Sequence, residues 1–143
     1  MAAANKFQAF VENLAEKVHN LGSDTLKLML TLTAPVATNS VKADLTEIAA
    51  GNGYTAGGTA ITVTTSAQSS GTYTLAGNQV AFTASGGAIA NFRYIVFYND
   101  TPTSPADPLA LWWDYGSTLT LSDGDSLTVK FNNANPGTIL TLA

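Results

Sequence analysis

The 143-residue chain carries ten acidic and six basic side chains, a net charge of −4, and is 45% hydrophobic but only 11% charged, under half the roughly 25% usual for soluble proteins. Nucleic acid is excluded as a partner, because phosphate binding needs clustered cations and Lys6, Lys17, Lys27, Lys42, Arg93 and Lys130 are scattered. Without cysteine there is no disulfide framework and no thiolate metal site, and no apolar run reaches the roughly 20 residues of a membrane span.

In chain order, Met1–Asn5 is read as an N-terminal arm that lacks the apolar stretch of a secretory signal. Phe7, Phe10, Val11, Leu14, Val18 and Leu21 then recur at helical spacing, with Gln8, Glu12, Asn13, Glu16 and Lys17 on the opposite side. This predicts a helix over 6–21, closed by Gly22 as a left-handed C-cap. From 24 to 142 the pattern is strands and loops. Leu26, Leu28, Leu30 and Leu32 alternate as one face of a strand, and Met29 on the other side points to partial cover there. Ala34–Gly58 is a connection opened by Pro35, with at most a turn of helix around Val41, Leu45 and Ile48, ending in the glycine-rich loop Gly51–Gly58.

Short alternating runs follow: Ile61 and Val63, Tyr73 and Leu75, Val80 and Phe82, the aromatic runs Phe92–Tyr98 and Leu109–Tyr115, Leu119 and Leu121, Leu127 to Phe131, and Ile139 to Leu142. Turn signals at Ser70-Gly71, Gly77-Asn78, Gly86-Gly87, Asp123-Gly124 and Pro136-Gly137 separate them. About eight strands at this spacing predict a mainly β chain: an antiparallel, jelly-roll-like β-sandwich with one N-terminal α-helix, in a single domain spanning 1–143. Asn99–Pro108, with three prolines that cannot donate to a ladder, is expected to project as a stiffened loop.

Chemistry has few carriers. His19 is the sole histidine, and at the end of an amphipathic helix it is expected to cap or to sit at the surface. Gly51-x-Gly53-x-x-Ala56 has the loose spacing of a dinucleotide loop, but a strand must precede that motif and a helix follow it, and here the order is reversed. Asp123-Gly124-Asp125 brings two carboxylates together without the spacing of a calcium loop, and a two-residue hairpin between the Leu119 and Leu127 strands explains it. Asp100, Asp107 and Asp114 are the acids a glycoside hydrolase would draw on. Trp112, Trp113, Tyr115, Tyr94 and Tyr98 could make a sugar-stacking platform, although neighbours on a strand face opposite ways and large aromatics mostly fill cores. Asn99-Asp100-Thr101 matches a glycosylation acceptor. No catalytic, cofactor-binding or metal-binding residue is assigned, and no cofactor is expected.

The segments Lys17–Lys27, Ala43–Tyr54, Phe92-Arg93-Tyr94 and Trp112–Gly116 resemble a family of small tailed-bacteriophage virion proteins that includes capsid cement, or head decoration, proteins. The resemblance implies a jelly-roll-like sandwich on the capsid exterior, made in the host bacterial cytoplasm, that bridges neighbouring major capsid subunits and self-associates, with a dimer favoured. It brings no catalytic residues. The expected partners are the major capsid protein and further copies of the chain, with no nucleic acid and no membrane. Candidate contact regions are the Met1–Asn5 arm, the Ala34–Gly58 connection and the Asn99–Pro108 loop. The alternative is a carbohydrate-binding module on a virion surface that recognises host glycans.

Overall fold

A computed structural model describes residues 2–143. Its elements are β1 (Asn5–Lys6), α1 (Gln8–Ala15), β2 (Leu26–Thr31), β3 (Thr59–Ala60), β4 (Val63–Ser69), β5 (Thr72–Gly77), β6 (Val80–Thr83), β7 (Ile89–Asn99), β8 (Leu109–Leu121), β9 (Ser126–Val129) and β10 (Gly137–Leu142), with single 3-10 turns at Lys42–Asp44 and Phe131–Asn133. Every strand pairing is antiparallel. The principal sheet has the order β1-β8-β7-β2-β3, and β10-β5-β4 and β6-β9 form smaller sheets. The chain is therefore mainly β with one helix, in a sandwich-like arrangement.

The main core joins the inner face of the principal sheet to both smaller sheets. Leu28 and Leu30 of β2, Phe92, Ile95 and Phe97 of β7, and Trp113 of β8 meet Leu75, Phe82, Val129 and Ile139. The outer face of the same sheet is also buried. Phe7, Met29, Val96, Tyr98 and Leu109 form a second cluster, with Leu45 and Trp112 packed against it. Met29 is fully enclosed rather than partly covered. The 2.0-residue period of a strand sends Ile95 and Phe97 one way and Val96 and Tyr98 the other, which is why the run reads as continuously apolar.

The helix is shorter than its periodicity implies. It ends at Ala15, with Lys17 in the left-handed region (φ 67°). The Val18 amide donates to the Asn13 carbonyl at 2.8 Å and the Lys17 amide to that of Leu14 at 3.4 Å. This is a six-to-one terminal pair centred on Lys17, five residues before the expected Gly22. His19 and Leu21 are both buried in the turn that follows. Phe10 packs inward and Val11 is 51% exposed, so Val11 is not on the apolar face. The expected arm is also part strand: Asn5 and Lys6 lie opposite Trp112 and Leu111, Ala2–Ala4 are exposed, and Met1 falls outside the described residues.

Two further expectations change. Leu32 does not join the core face, because Thr31 ends β2 by bonding through its hydroxyl to the Thr46 carbonyl (2.6 Å), leaving Leu32 48% exposed. The Asp123-Gly124 turn is real, with the Asp125 amide on the Ser122 carbonyl at 2.8 Å, but it is not a hairpin. β8 pairs with β7 and β9 with β6, so the turn passes the chain between layers, where Val129 and Phe131 can reach the core.

At Gly58 (φ 79°) a Cβ would overlap the Leu28 carbonyl oxygen, whereas at Gly124 (φ 89°) it would meet nothing. Gly58→Ala should therefore cost about 3 kcal/mol or more by driving β3 off β2, and Gly124→Ala only the roughly 1–2 kcal/mol of a left-handed backbone. Urea unfolding of the two variants reads the difference, and equal losses would contradict the packing at Gly58.

Candidate functional site

The Ala34–Gly58 connection is a strap over the outer face of the principal sheet, and the projecting loop is bonded to it. The Lys42 amide donates to the Asp107 carbonyl (2.9 Å), the Leu109 amide to that of Ser40 (3.0 Å), and Val41 bridges Pro108. At its start the strap also holds the helix: the Gln8 amide, one of the donors a helix N-terminus leaves unpaired, reaches the Ala37 carbonyl at 2.9 Å. Two of the three expected contact regions therefore form one continuous ledge.

Polar side chains lock the strap down. Glu47 Oε1 accepts from the Tyr54 hydroxyl and the Gly57 amide, both at 2.6 Å, and Lys42 lies 3.4 Å from its other oxygen. The Tyr54 oxygen in turn accepts from the Leu30 amide of β2 (3.1 Å), while Tyr98 donates to the Gly57 carbonyl (2.7 Å). Burial above all pushes both phenols above their ordinary range, so each stays protonated as a donor. Asp44 accepts from the Ser40 and Val41 amides, and those bonds hold its carboxyl below the usual range. Around this anchored frame Val11, Leu32 and Val36 stand 51%, 48% and 54% exposed. Val36 adjoins the Ala37–Gln8 bond, and Val11 is one helical turn from Gln8.

Two of the three candidate acids, Asp100 and Asp114, are engaged separately. Asp100 pairs with Lys27 at 2.8 Å, and Asp114 makes a two-pronged bond to Arg93 (2.7 and 2.9 Å) that keeps its carboxyl below the usual range. Asp114 lies opposite Tyr94, four residues along β7 from Tyr98, or roughly 13 Å at strand rise from the end of the hairpin that holds Asp100 and Asp107. In the Asp123–Asp125 turn, Asp123 accepts from the Gly86 amide and Asp125 from that of Ser122. Among the described residues no three metal-ligating side chains converge. Gly51–Ala56 is a looped turn followed by β3, with no helix opening on it.

The aromatic platform is dispersed. Trp113 is buried in the main core, whereas Tyr98 and Trp112 lie on the opposite face of the sheet, Trp112 beneath the Phe7 ring, 4.5 Å between centroids. Tyr115 remains 49% exposed and lines a cleft of about 400 Å³ with Ala2, Trp113, Asp114 and Leu127. Asn99 is 1% exposed and fully used in hydrogen bonds, so its match to a glycosylation acceptor has no accessible amide.

His19 is neither a cap nor a surface group; it is 6% exposed and 5.2 Å from the Phe10 ring. Asn99 Nδ2 gives one hydrogen to Asp24 (2.6 Å) and faces His19 Nδ1 at 3.2 Å. Nδ1 must accept the second, so the proton sits on Nε2, which is buried without a partner among the described residues. No local sequence signal points to this arrangement, because it depends on Asn99 arriving from β7. Comparison with protein-family models, curated proteins and solved structures gives no match.

Burial lowers the His19 pKa from 6.5, with the Asp24 charge opposing. Below about pH 6.5 the unfolded chain takes up the proton more readily than the folded one, so stability is full above that pH and falls as acid is added. Unfolding midpoints between pH 7 and 5 should drop with a slope of up to about 1.4 kcal/mol per pH unit. His19→Gln should flatten that slope, and an unchanged slope in the variant would show that His19 is not its source.

Proposed function

We propose that this chain is a virion structural protein that binds the outer surface of a tailed-bacteriophage head and stabilises it by bridging major capsid subunits, turning over no substrate. The observation that carries this reading is the ledge: strap and proline-rich loop are hydrogen-bonded together, fixed to the central sheet through Tyr54, Glu47 and Tyr98, and bordered by exposed Val11, Leu32 and Val36. A surface held this rigidly loses little conformational freedom on docking, and its apolar margin supplies the area to be desolvated. Standard interfaces bury roughly 1,200 to 2,000 Å². Many modest contacts repeated on a closed shell reinforce one another through effective concentration. The segments that resemble head decoration proteins support the same placement on the capsid exterior.

Tyr115 beside its cleft favours one alternative, a glycan-binding module, with Tyr115 rather than Trp112 or Trp113 as the stacking group. Tyr115→Ala would then abolish binding on a glycan array, and absence of any glycan signal from the wild type removes this reading.

The capsid reading is tested by co-sedimentation with empty heads. The paired change Val11→Asp and Val36→Asp, at exposed positions that leave the fold intact, should weaken attachment by tenfold or more. Wild-type protein that fails to pellet with heads, or a double variant that pellets equally, would overturn the assignment of the ledge.

A further inference from the structure

Charge is unevenly distributed in this molecule. From Gly51 to Phe92 there is no Asp, Glu, Lys or Arg, and that stretch supplies β3 to β6 and the start of β7. Within it β4 is the outermost strand of the β10-β5-β4 sheet, and Thr64–Ser69 are all exposed, so both faces of the strand as well as its edge meet solvent.

Sheet edges in soluble proteins are normally protected by a charged side chain, a proline or a bulge. Between Thr65 and Ser69, β4 has none of these, and its register with β5 is unbroken from Thr65↔Ala76 to Ser69↔Thr72. Other edges are shorter or less regular: β10 is irregularly paired with β5 between Thr138 and Leu140, and β6 and β9 are four residues each. β1 occupies the outer side of β8 at Leu111 and Trp112, the open remainder of β8 begins with Asp114 in its ion pair and is irregularly paired with β7, and β3 is two residues long.

The turn identifies the free backbone groups. Ser70 (φ 49°) and Gly71 (φ 82°) make a two-residue hairpin of the primed type, so Ser69 and Thr72 exchange both hydrogen bonds. Alternation then directs Ala67 and Thr65 toward β5, and Ser66 and Gln68 outward.

We infer that β4 is a self-pairing edge: two copies of the chain join antiparallel along β4 about a two-fold axis at Ala67, giving a continuous six-stranded sheet. A second copy is the occupant favoured by charge, since an uncharged strand meets itself without repulsion and offers a charged partner nothing to pair with. In this register Ser66 lies opposite Gln68 of the second copy and the two exchange hydrogen bonds through their outward groups. Ala67 faces Ala67 at the close, non-bonded position, about 4.5 Å between Cα atoms, where only a small side chain sits comfortably. The pairing identifies the surface for the self-association in the proposed role, and does not depend on capsid binding.

Sedimentation of the purified full chain should give twice the 14.8 kDa of one copy. Gln68→Pro removes one outward N–H but no bond to β5, and proline is tolerated on an edge; it should weaken dimerisation tenfold or more with an unchanged circular dichroism spectrum. Because the chain lacks cysteine, Ala67→Cys should cross-link to itself on oxidation, while Ser69→Cys, displaced from the axis, should not. A wild type that stays monomeric at high concentration, a Gln68→Pro dimer of undiminished strength, or cross-linking at Ser69→Cys equal to that at Ala67→Cys would each overturn the inference. A monomer that still pellets with heads sinks the edge pairing alone, whereas a Gln68-dependent dimer indifferent to heads sinks the capsid reading alone.

Discussion

The principal sheet is apolar on both faces, and the remaining architecture answers that constraint. One face is closed by the two smaller sheets. The other, with Met29, Val96, Tyr98 and Leu109, is covered by Phe7 and by the strap, whose Leu45 packs against it. An irregular segment laid over a buried face brings backbone amides and carbonyls that must find partners, and the side chains of Tyr54, Glu47, Asp44 and Tyr98 supply many of them. The polar residues of the strap are thus a consequence of where it lies. Backbone bonds from the same strap hold the Asn99–Pro108 loop, so that loop is mounted on an anchored part of the molecule.

This arrangement explains how a chain with so few charges distributes them. Lys27, Lys42, Glu47 and Asp100 gather around the strap and the loop, where they form ion pairs at 2.8 and 3.4 Å. These pairs are partly shielded from solvent, and two of their members also hydrogen-bond to the phenols of Tyr54 and Tyr98, so they act as positioning groups more than as independent sources of stability. The opposite layer carries hydroxyls and amides instead. Such groups keep a surface wet at a smaller desolvation cost than ions. The two sides are therefore suited to different contacts: a shaped ledge bordered by apolar side chains, and a flat, uncharged strand edge open to backbone pairing.

His19 illustrates how a polar side chain becomes structural. Its ring fills space beside Phe10 and its Nδ1 receives a hydrogen from Asn99, which is itself anchored to Asp24 and Thr101. The turn after the helix, the start of β2 and the end of β7 are joined at this point. An Nε2 without a partner among the described residues is the cost of that junction, and desolvation favours the neutral ring.

Local pattern was enough to locate β2, the Ser70-Gly71 hairpin, the paired aromatic strands and the loop between them, because alternation, turn residues and proline act over a few neighbours. That Gly51–Gly58 is a loop leading into a strand was legible for the same reason, as was the opposite facing of Trp112 and Trp113. The helix terminus was not legible. Val18 and Leu21 keep helical spacing, yet the chain leaves the helix at Lys17, and His19 and Leu21 are buried in the turn that follows. Nor could the sequence tell that Asp123-Gly124 links different sheets, that Val11 and Leu32 face outward, or that strap and loop form one ledge. Composition and periodicity determined a mainly β, sparsely charged chain with one N-terminal helix; only the tertiary structure decided where that helix stopped, which faces were covered and which side chains met, since those depend on partners tens of residues away.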